Sequence, residues 1–263
     1  MLKKYIDHHV HTSFSPDSFE PMEEYILKAK ELGLSTLMFT DHVDYGSPDS
    51  IFDTNPDYYA YQKKLKELES EYSIRLLMGV ELGYIPRTRD RNDALLNAHQ
   101  FDFVILSIHY LDDLDFSNGD FFINKTPYEA YQRYYEAALD TVTNYDNFDV
   151  FGHLDFIVRY GDREVYKYDD YKEIIDKILK TLISKNKGLD LNTSGYRYDL
   201  NDFHPAKEIL RRYKELGGEI ITLGSDAHKK EYIQANFKEA IETLKSLGYT
   251  HVTHFEKRKP YQI

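Results

Sequence analysis

Eleven histidines and 45 acidic side chains occur in a 263-residue chain that has no cysteine, so a transition-metal site here must be built from imidazole and carboxylate rather than thiolate. Many of these groups stand at the ends of short apolar runs: Asp7, His9 and His11; Asp41 and His42; Glu81; His109; His153 and Asp155; Asp226 and His228. His9-Val10-His11 can hold one ion with both imidazoles, because alternate side chains of an extended segment face the same way. Ser225-Asp226-Ala227-His228 sets a carboxylate and an imidazole where the run from Ile220 to Leu223 opens into a loop. Thr40-Asp41-His42 has the same form, with His42 read as the ligand and Asp41 able to orient it. Glu81 closes the run Leu76 to Val80, where Gly79 and Gly83 leave space and a carboxylate can bridge two cations. Ser107-Ile108-His109 and Gly152-His153-Leu154-Asp155 repeat the pattern. Each motif alone has an ordinary explanation as a helix cap or a hydrogen-bonded histidine. Their recurrence at run after run argues instead for one shared metal site, which would activate water for hydrolysis.

Residues more than two hundred positions apart meet only if these runs are strands whose ends converge. Apolar runs at 5–10, 35–39, 75–80, 103–108, 150–152, 189–191 and 219–223 predict seven strands. Amphipathic stretches at 21–32, 56–72, 127–144, 171–185, 205–216 and 232–247 predict helices between them, several opening at proline as first-turn geometry permits. Repeated strand and helix units imply a parallel sheet with right-handed crossovers. A closed α/β barrel gathers the strand ends on one face, whereas an open sheet spreads them along a crevice, so polar residues at nearly every run end predict the barrel. No linker or repeat interrupts the alternation, and residues 1–263 read as one domain. The long polar loops 110–126 and 156–169 are expected to serve the site.

Lys plus Arg number 33 against 45 Asp plus Glu, a net charge of -12. That surface disfavours nucleic-acid polymers and anionic membranes and favours a small substrate. It also repels a phosphate ester, so a phosphatase of this charge needs bound cations or local arginines inside its pocket. The N-terminus has no apolar stretch of signal-peptide length, and no segment reaches the roughly 18 apolar residues of a membrane span, so a cytoplasmic protein is expected. No pattern in the sequence specifies an oligomeric state.

At these residues the sequence resembles the polymerase and histidinol phosphatase (PHP) family, whose four motifs contain the patterns at His9 to Thr12, Thr40 to His42, Gly152 to Asp155 and Ser225 to His228. The resemblance spans nearly the whole chain and implies a distorted seven-stranded (β/α)7 barrel, TIM-like, with up to three divalent ions: zinc, manganese or iron. It implies that His9, His11, Glu81 and Asp226 hold a first ion. Glu81, His109 and His153 would hold a second, with Glu81 bridging the pair, and Asp17, His42 and His228 a third. Asp17 stands where many relatives carry histidine, and a carboxylate suits a hard cation. The stretches Gly152 to Tyr160 and Leu191 to Arg197 resemble the histidinol-phosphate phosphatase branch. They bring Arg159 and Arg197 toward the pocket, where a planar guanidinium fork suits phosphate.

The activity so implied is hydrolysis of L-histidinol phosphate to L-histidinol and phosphate in histidine biosynthesis. Water activated between two ions would attack in line, without a covalent phosphoenzyme. Glu81, Asp17, His228, Arg159 and Arg197 would form the catalytic set. The proton donor to the leaving alkoxide stays open among Asp155, Asp17 and His228. Three rival readings stand beside this one. The first is a PHP-type phosphoesterase acting on nucleotides, oligonucleotide ends or phosphotyrosine. The second is an amidohydrolase-like deacylase, which needs no phosphate-binding arginine. The third is a metal-stabilised binding protein that turns nothing over.

Overall fold

The computed structural model describes residues 2–263. Its parallel sheet contains β1 (Thr36–Phe39), β2 (His42–Val43), β3 (Arg75–Gly83), β4 (Phe103–Ser107), β7 (Val150–Phe151), β8 (Gly188–Asn192) and β9 (Ile221–Gly224). Two antiparallel hairpins stand outside it, β5 (Tyr110–Leu111) with β6 (Leu114–Asp115) and β10 (Thr253–Glu256) with β11 (Lys259–Gln262). The order across the sheet is β1-β3-β4-β7-β8-β9, and β2 continues beside the upper half of β3. Every residue of β3 except Arg75 is buried, as expected of a parallel strand covered on both faces.

Residues 5–10, expected as the first strand, do not form a regular ladder. They lie between β9 and β1 and join them by single contacts: His8 N–H donates to the Leu223 carbonyl, Thr40 N–H to the Val10 carbonyl, and Val10 bridges Ala227. Side chains do part of a ladder's work here. The Asp7 carboxylate accepts from Ser225 N and Gln234 N, and Thr40 Oγ1 accepts from Val10 N. The curled sheet is therefore closed into a distorted barrel by side-chain hydrogen bonds as much as by backbone pairing.

Inside the barrel the pleat alternates a lower apolar layer with an upper polar one. Leu77, Phe103, Ile105 and Val150 pack with Ile6, Met38 and Phe255 at the base. Two positions along each strand bring Gly79 and Glu81, Ser107 and Gly152 to the opposite end. A Cβ on Gly79 would come within 2.6 Å of Thr40 Cγ2, and one on Gly152 would collide with Ser107 Oγ, so both glycines are close approaches that let the polar layer assemble.

Helices α1 (Met22–Leu32), α2 (Tyr58–Tyr72), α3 (Arg89–Ala98), α4 (Pro127–Asn144), α5 (Tyr168–Ser184), α6 (Lys207–Glu215) and α7 (Phe237–Ser246) intervene along the chain. The start of α4 follows from a capping box, in which Thr126 and Glu129 satisfy each other's backbone N–H groups ahead of Pro127. The last helix begins at Phe237 rather than 232 because Gln234 and Asn236 adopt positive φ. No helix among the described residues is long and apolar enough to cross a membrane.

The β10–β11 hairpin plugs the base, with Phe255 against Phe103 at 5.0 Å between ring centroids. It buries His254, whose Nε2 accepts from Ile6 N. Burial, with Lys4 nearby, pushes His254 down to about 4 from an ordinary 6.5. A histidine depressed in the fold stabilises it above the unfolded value, and that contribution drains away as pH falls from 6.5 toward 4. The full span is worth roughly 3 kcal/mol. Urea unfolding at pH 7.5 and 5.0 is expected to show a smaller acid loss for His254→Gln than for the parent, since glutamine keeps an acceptor and cannot take a proton.

Candidate metal centre

Nine side chains from separate barrel segments converge at the upper end of the barrel. Glu81 is central. Its Oε1 lies 2.8 Å from His153 Nε2 and 3.2 Å from His109 Nε2. Its Oε2 lies 3.0 Å from His9 Nε2, 3.4 Å from His11 Nε2 and 3.2 Å from His42 Nδ1. Asp226 Oδ1 reaches His11 Nε2 at 3.4 Å and His9 Nε2 at 3.8 Å. Asp17 Oδ2 stands 3.0 Å from His228 Nε2 and 3.5 Å from His42 Nε2. Asp226 and His153 sit at φ 54 and 25, backbone positions costly to a residue with a Cβ and concentrated at functional sites.

Glu81 Oε1 hydrogen-bonds with His153 and His109, and Asp17 with His228, yet the other inward-facing atoms crowd together without such a bond. His9 Nε2, His11 Nε2, His42 Nδ1 and Glu81 Oε2 are buried without a hydrogen-bond partner. Buried polar atoms are normally satisfied, so atoms that crowd together without pairing share some other partner. Four overlapping groups have the compactness a cation requires: His9, His11 and Asp226; His9, Glu81 and His153; His42, Glu81 and His109; His11, His42 and His228. Imidazole and carboxylate donors in such groups fit divalent ions.

The outer atoms of the rings decide which nitrogen faces inward. Asp190 Oδ2 lies 2.9 Å from His9 Nδ1 and Asp44 Oδ1 lies 2.7 Å from His109 Nδ1. A carboxylate can only accept, so both Nδ1 atoms carry the proton and both Nε2 lone pairs point into the cluster. Ser15 Oγ donates to Asp41 and faces His11 Nδ1 at 3.3 Å, which sets the same tautomer. Asp41 also takes Thr12 N, Thr12 Oγ1 and Tyr61 Oη, so it ties the loop carrying Ser15 rather than touching an ion, and His42 is the group of that motif that reaches the cluster.

Burial alone would raise the Glu81 and Asp226 carboxyls, but the surrounding imidazoles overcome it and hold both well below the ordinary carboxylate range. Burial likewise opposes charge on His9, His42 and His109, and the adjacent carboxylates win, taking His42 up to about 9. His153 is pushed down to about 4 by burial, and His11 falls well below its usual value through burial and the neighbouring His42 and His228. A divalent ion entering this set displaces protons, so its binding strengthens as pH rises.

The cluster lines a cavity of about 420 Å³ that also contains Arg159, Tyr198, Phe52, Tyr110, Asp115 and Ser117. Arg159 is buried, donates from Nη2 to Ser194 Oγ at 2.8 Å, and lies over the Tyr198 ring at 3.8 Å with its Nε unpartnered. Arg197 sits behind the wall rather than on it. Its Nη1 and Nη2 donate to the carbonyls of Ser225 and Asp226 at 2.9 and 2.7 Å, which braces the positive-φ turn of Asp226. Asp155 faces away from the cluster, accepting from His204 Nδ1 at 2.6 Å and from Ala206 N at 2.8 Å, and it does not line the cavity.

Two positioning carboxylates escaped the reading of run ends. Asp44 lies two residues past His42, and Asp190 is the charged residue within the buried strand β8. Both signals were present, an i, i+2 acid beside a ligand and a carboxylate inside an apolar run. Asp44→Asn is expected to weaken metal retention about 10- to 100-fold, measured by competitive titration against a chromophoric chelator, because His109 then loses the anion that fixes its tautomer.

Comparison with known proteins shows what the chain as a whole is similar to. A histidinol-phosphatase of Lactococcus lactis subsp. lactis IL1403 is 33% identical over 263 residues, covering 97% of this chain and 96% of the relative. The crystal structure of histidinol phosphate phosphatase from that organism, complexed with zinc, L-histidinol and phosphate, superposes with a TM-score of 0.90 at 32% identity, covering 98% of this chain and 99% of the other. A Listeria monocytogenes structure, at 21% identity and a TM-score of 0.77, covers 89% of this chain and 99% of its own and shares the fold. The family model described as the PHP domain matches residues 7–194, which carry seven of the nine converging side chains, from His9 to His153. With the barrel, the converging side chains and these matches in agreement, the chain belongs to the PHP family.

Proposed function

We propose that this chain is a metal-dependent phosphoric monoester hydrolase that converts L-histidinol phosphate to L-histidinol and phosphate, a cytoplasmic step of histidine biosynthesis carried out by residues 1–263 as one domain. The observation that carries the reading is the buried Arg159 in the same cavity as the imidazole and carboxylate cluster. An amide hydrolase has no use for that cation, whereas a phosphoryl group needs it in a protein of net charge -12. The 33%-identical L. lactis relative and the ligands bound in its structure support the choice of ester.

The nine residues His9, His11, Asp17, His42, Glu81, His109, His153, Asp226 and His228 would hold up to three ions, of which zinc is the first candidate and manganese and iron the others. Ions bound there supply the Lewis acidity that makes water nucleophilic near neutral pH. Glu81 presents one oxygen to His109 and His153 and the other to His9, His11 and His42, the disposition of a bridging carboxylate. Arg159, on the cavity wall, would set its guanidinium against a phosphoryl oxygen, and Arg197 keeps Asp226 in place from behind. With the third site empty, the Asp17–His228 pair, 3.0 Å apart on the cavity wall, would hold the proton for the leaving alkoxide; with that site filled, both groups serve as ligands. Asp155 is withdrawn from that role because both its oxygens are occupied elsewhere.

Steady-state kinetics after zinc reconstitution test the reading with L-histidinol phosphate, p-nitrophenyl phosphate and an amide of matched size. Binding energy from the amino alcohol is expected to raise kcat/KM for L-histidinol phosphate roughly 100-fold over the aryl ester, with no amide turnover. Equal efficiency on the two esters would remove the substrate assignment.

A further inference from the structure

We infer that Asp115 is the acceptor for the substrate's ammonium group and so selects phosphate esters of amino alcohols. This inference rests on the phosphatase reading above and deepens it.

Five acidic residues line the cavity: Asp17, Asp44, Glu81, Asp115 and Asp226. Four of them face imidazoles. Asp17 is engaged by His42 and His228, Asp44 by His42 and His109, Glu81 by the central rings, and Asp226 by His9, His11 and His228. Asp115 contacts no imidazole. Its Oδ1 accepts from Ser117 N at 2.5 Å and Ser117 Oγ at 2.6 Å, and no group among the described residues donates to its Oδ2. A carboxylate on a cavity wall with one oxygen fixed and the other free is equipped to receive a cation.

The chain holds this carboxylate firmly. The β5–β6 hairpin turns through Asp112 and Asp113, both at positive φ (56 and 59), as a two-residue hairpin with matching twist requires. Arg133 from α4 forks onto Asp112 at 2.5 and 3.1 Å, and Arg87 reaches Asp113 at 2.5 Å. At the other end Asp115 pairs directly with Tyr110, whose hydroxyl donates to the Tyr45 carbonyl. Tyr110 follows His109, so the pairing fixes Asp115 relative to the cluster. In an ester of the histidinol type, the ammonium sits on the carbon next to the ester CH₂, and its acceptor must stand close to the phosphoryl site. A residue paired with the neighbour of His109 and lining the same cavity as the cluster is placed on the wall that such an acceptor would occupy.

The variant Asp115→Asn keeps the acceptor oxygen for Ser117 and removes only the charge. Kinetics are compared on L-histidinol phosphate, on the same ester lacking the amino group, and on p-nitrophenyl phosphate. Loss of one charge-assisted hydrogen bond is expected to lower kcat/KM for L-histidinol phosphate on the order of 10- to 100-fold, mostly through KM, while the other two esters change by no more than about twofold. Activity on the aryl ester reports that the variant is folded and loaded with metal. An equal loss on all three esters, or no loss on L-histidinol phosphate while the parent still prefers it, overturns the role of Asp115 alone. A parent that hydrolyses L-histidinol phosphate no better than the aryl ester overturns the substrate reading, and this inference with it.

Discussion

Glu81→Gln is expected to lower kcat/KM by about 10³-fold or more, equivalent to roughly 4 kcal/mol of lost transition-state stabilisation, and to leave the purified protein short of metal. Five imidazoles meet the two oxygens of this one carboxylate, and no other side chain touches as many of them. Glutamine preserves the shape and one acceptor but removes the negative charge and turns a donor group into the cluster. The imidazoles lose the anion that balances them in a buried site, and any pair of ions that Glu81 bridged would lose its link. Kinetics and elemental analysis on one preparation check both effects. Retention of metal at parental stoichiometry with undiminished turnover would remove Glu81 from the centre of the site.

Arg159→Ala is expected to reduce kcat/KM for phosphate esters by 10²- to 10³-fold, about the effect of deleting one preorganised donor to a developing anion. The side chain is buried and lies between the rings of Phe156 and Tyr198, so its charge is poised in a region of low dielectric. Arg159→Lys restores charge but not the planar fork, and recovery is expected to be partial. Arg197→Ala offers the contrast. Its guanidinium is bonded to the Ser225 and Asp226 carbonyls, so its loss should appear as weakened metal retention, through a loosened Asp226 turn, together with lower turnover. A drop in turnover with metal content intact for Arg197→Ala would place that residue on the phosphate instead.

The converging side chains were legible because the pattern carrying them is coarse. Each caps an apolar run, and a parallel barrel brings all such ends together whatever the exact register. His9 and His11 face the same site as alternation predicts, even though residues 5–10 close the barrel without a regular ladder. The positioning carboxylates were harder to see, since Asp44 and Asp190 act by holding the far side of a ring, a relation that exists only after the strands pair. Helix α3 went unnoticed because its apolar residues are few and bunched around Leu95 and Leu96, leaving no stripe at helical spacing. The two hairpins turn at Asp112-Asp113 and Lys257-Arg258, positive-φ pairs that lack the glycine or asparagine by which such turns are usually recognised.

Anomalous diffraction from crystals of the zinc-reconstituted protein examines the metal centre directly. Peaks are expected among His9, His11, Glu81, His109, His153 and Asp226, about 2.0–2.2 Å from their donor atoms, with a further peak beside Asp17, His42 and His228. Zinc bound elsewhere on an active enzyme, with these side chains hydrogen-bonded to one another and no anomalous density between them, would contradict it.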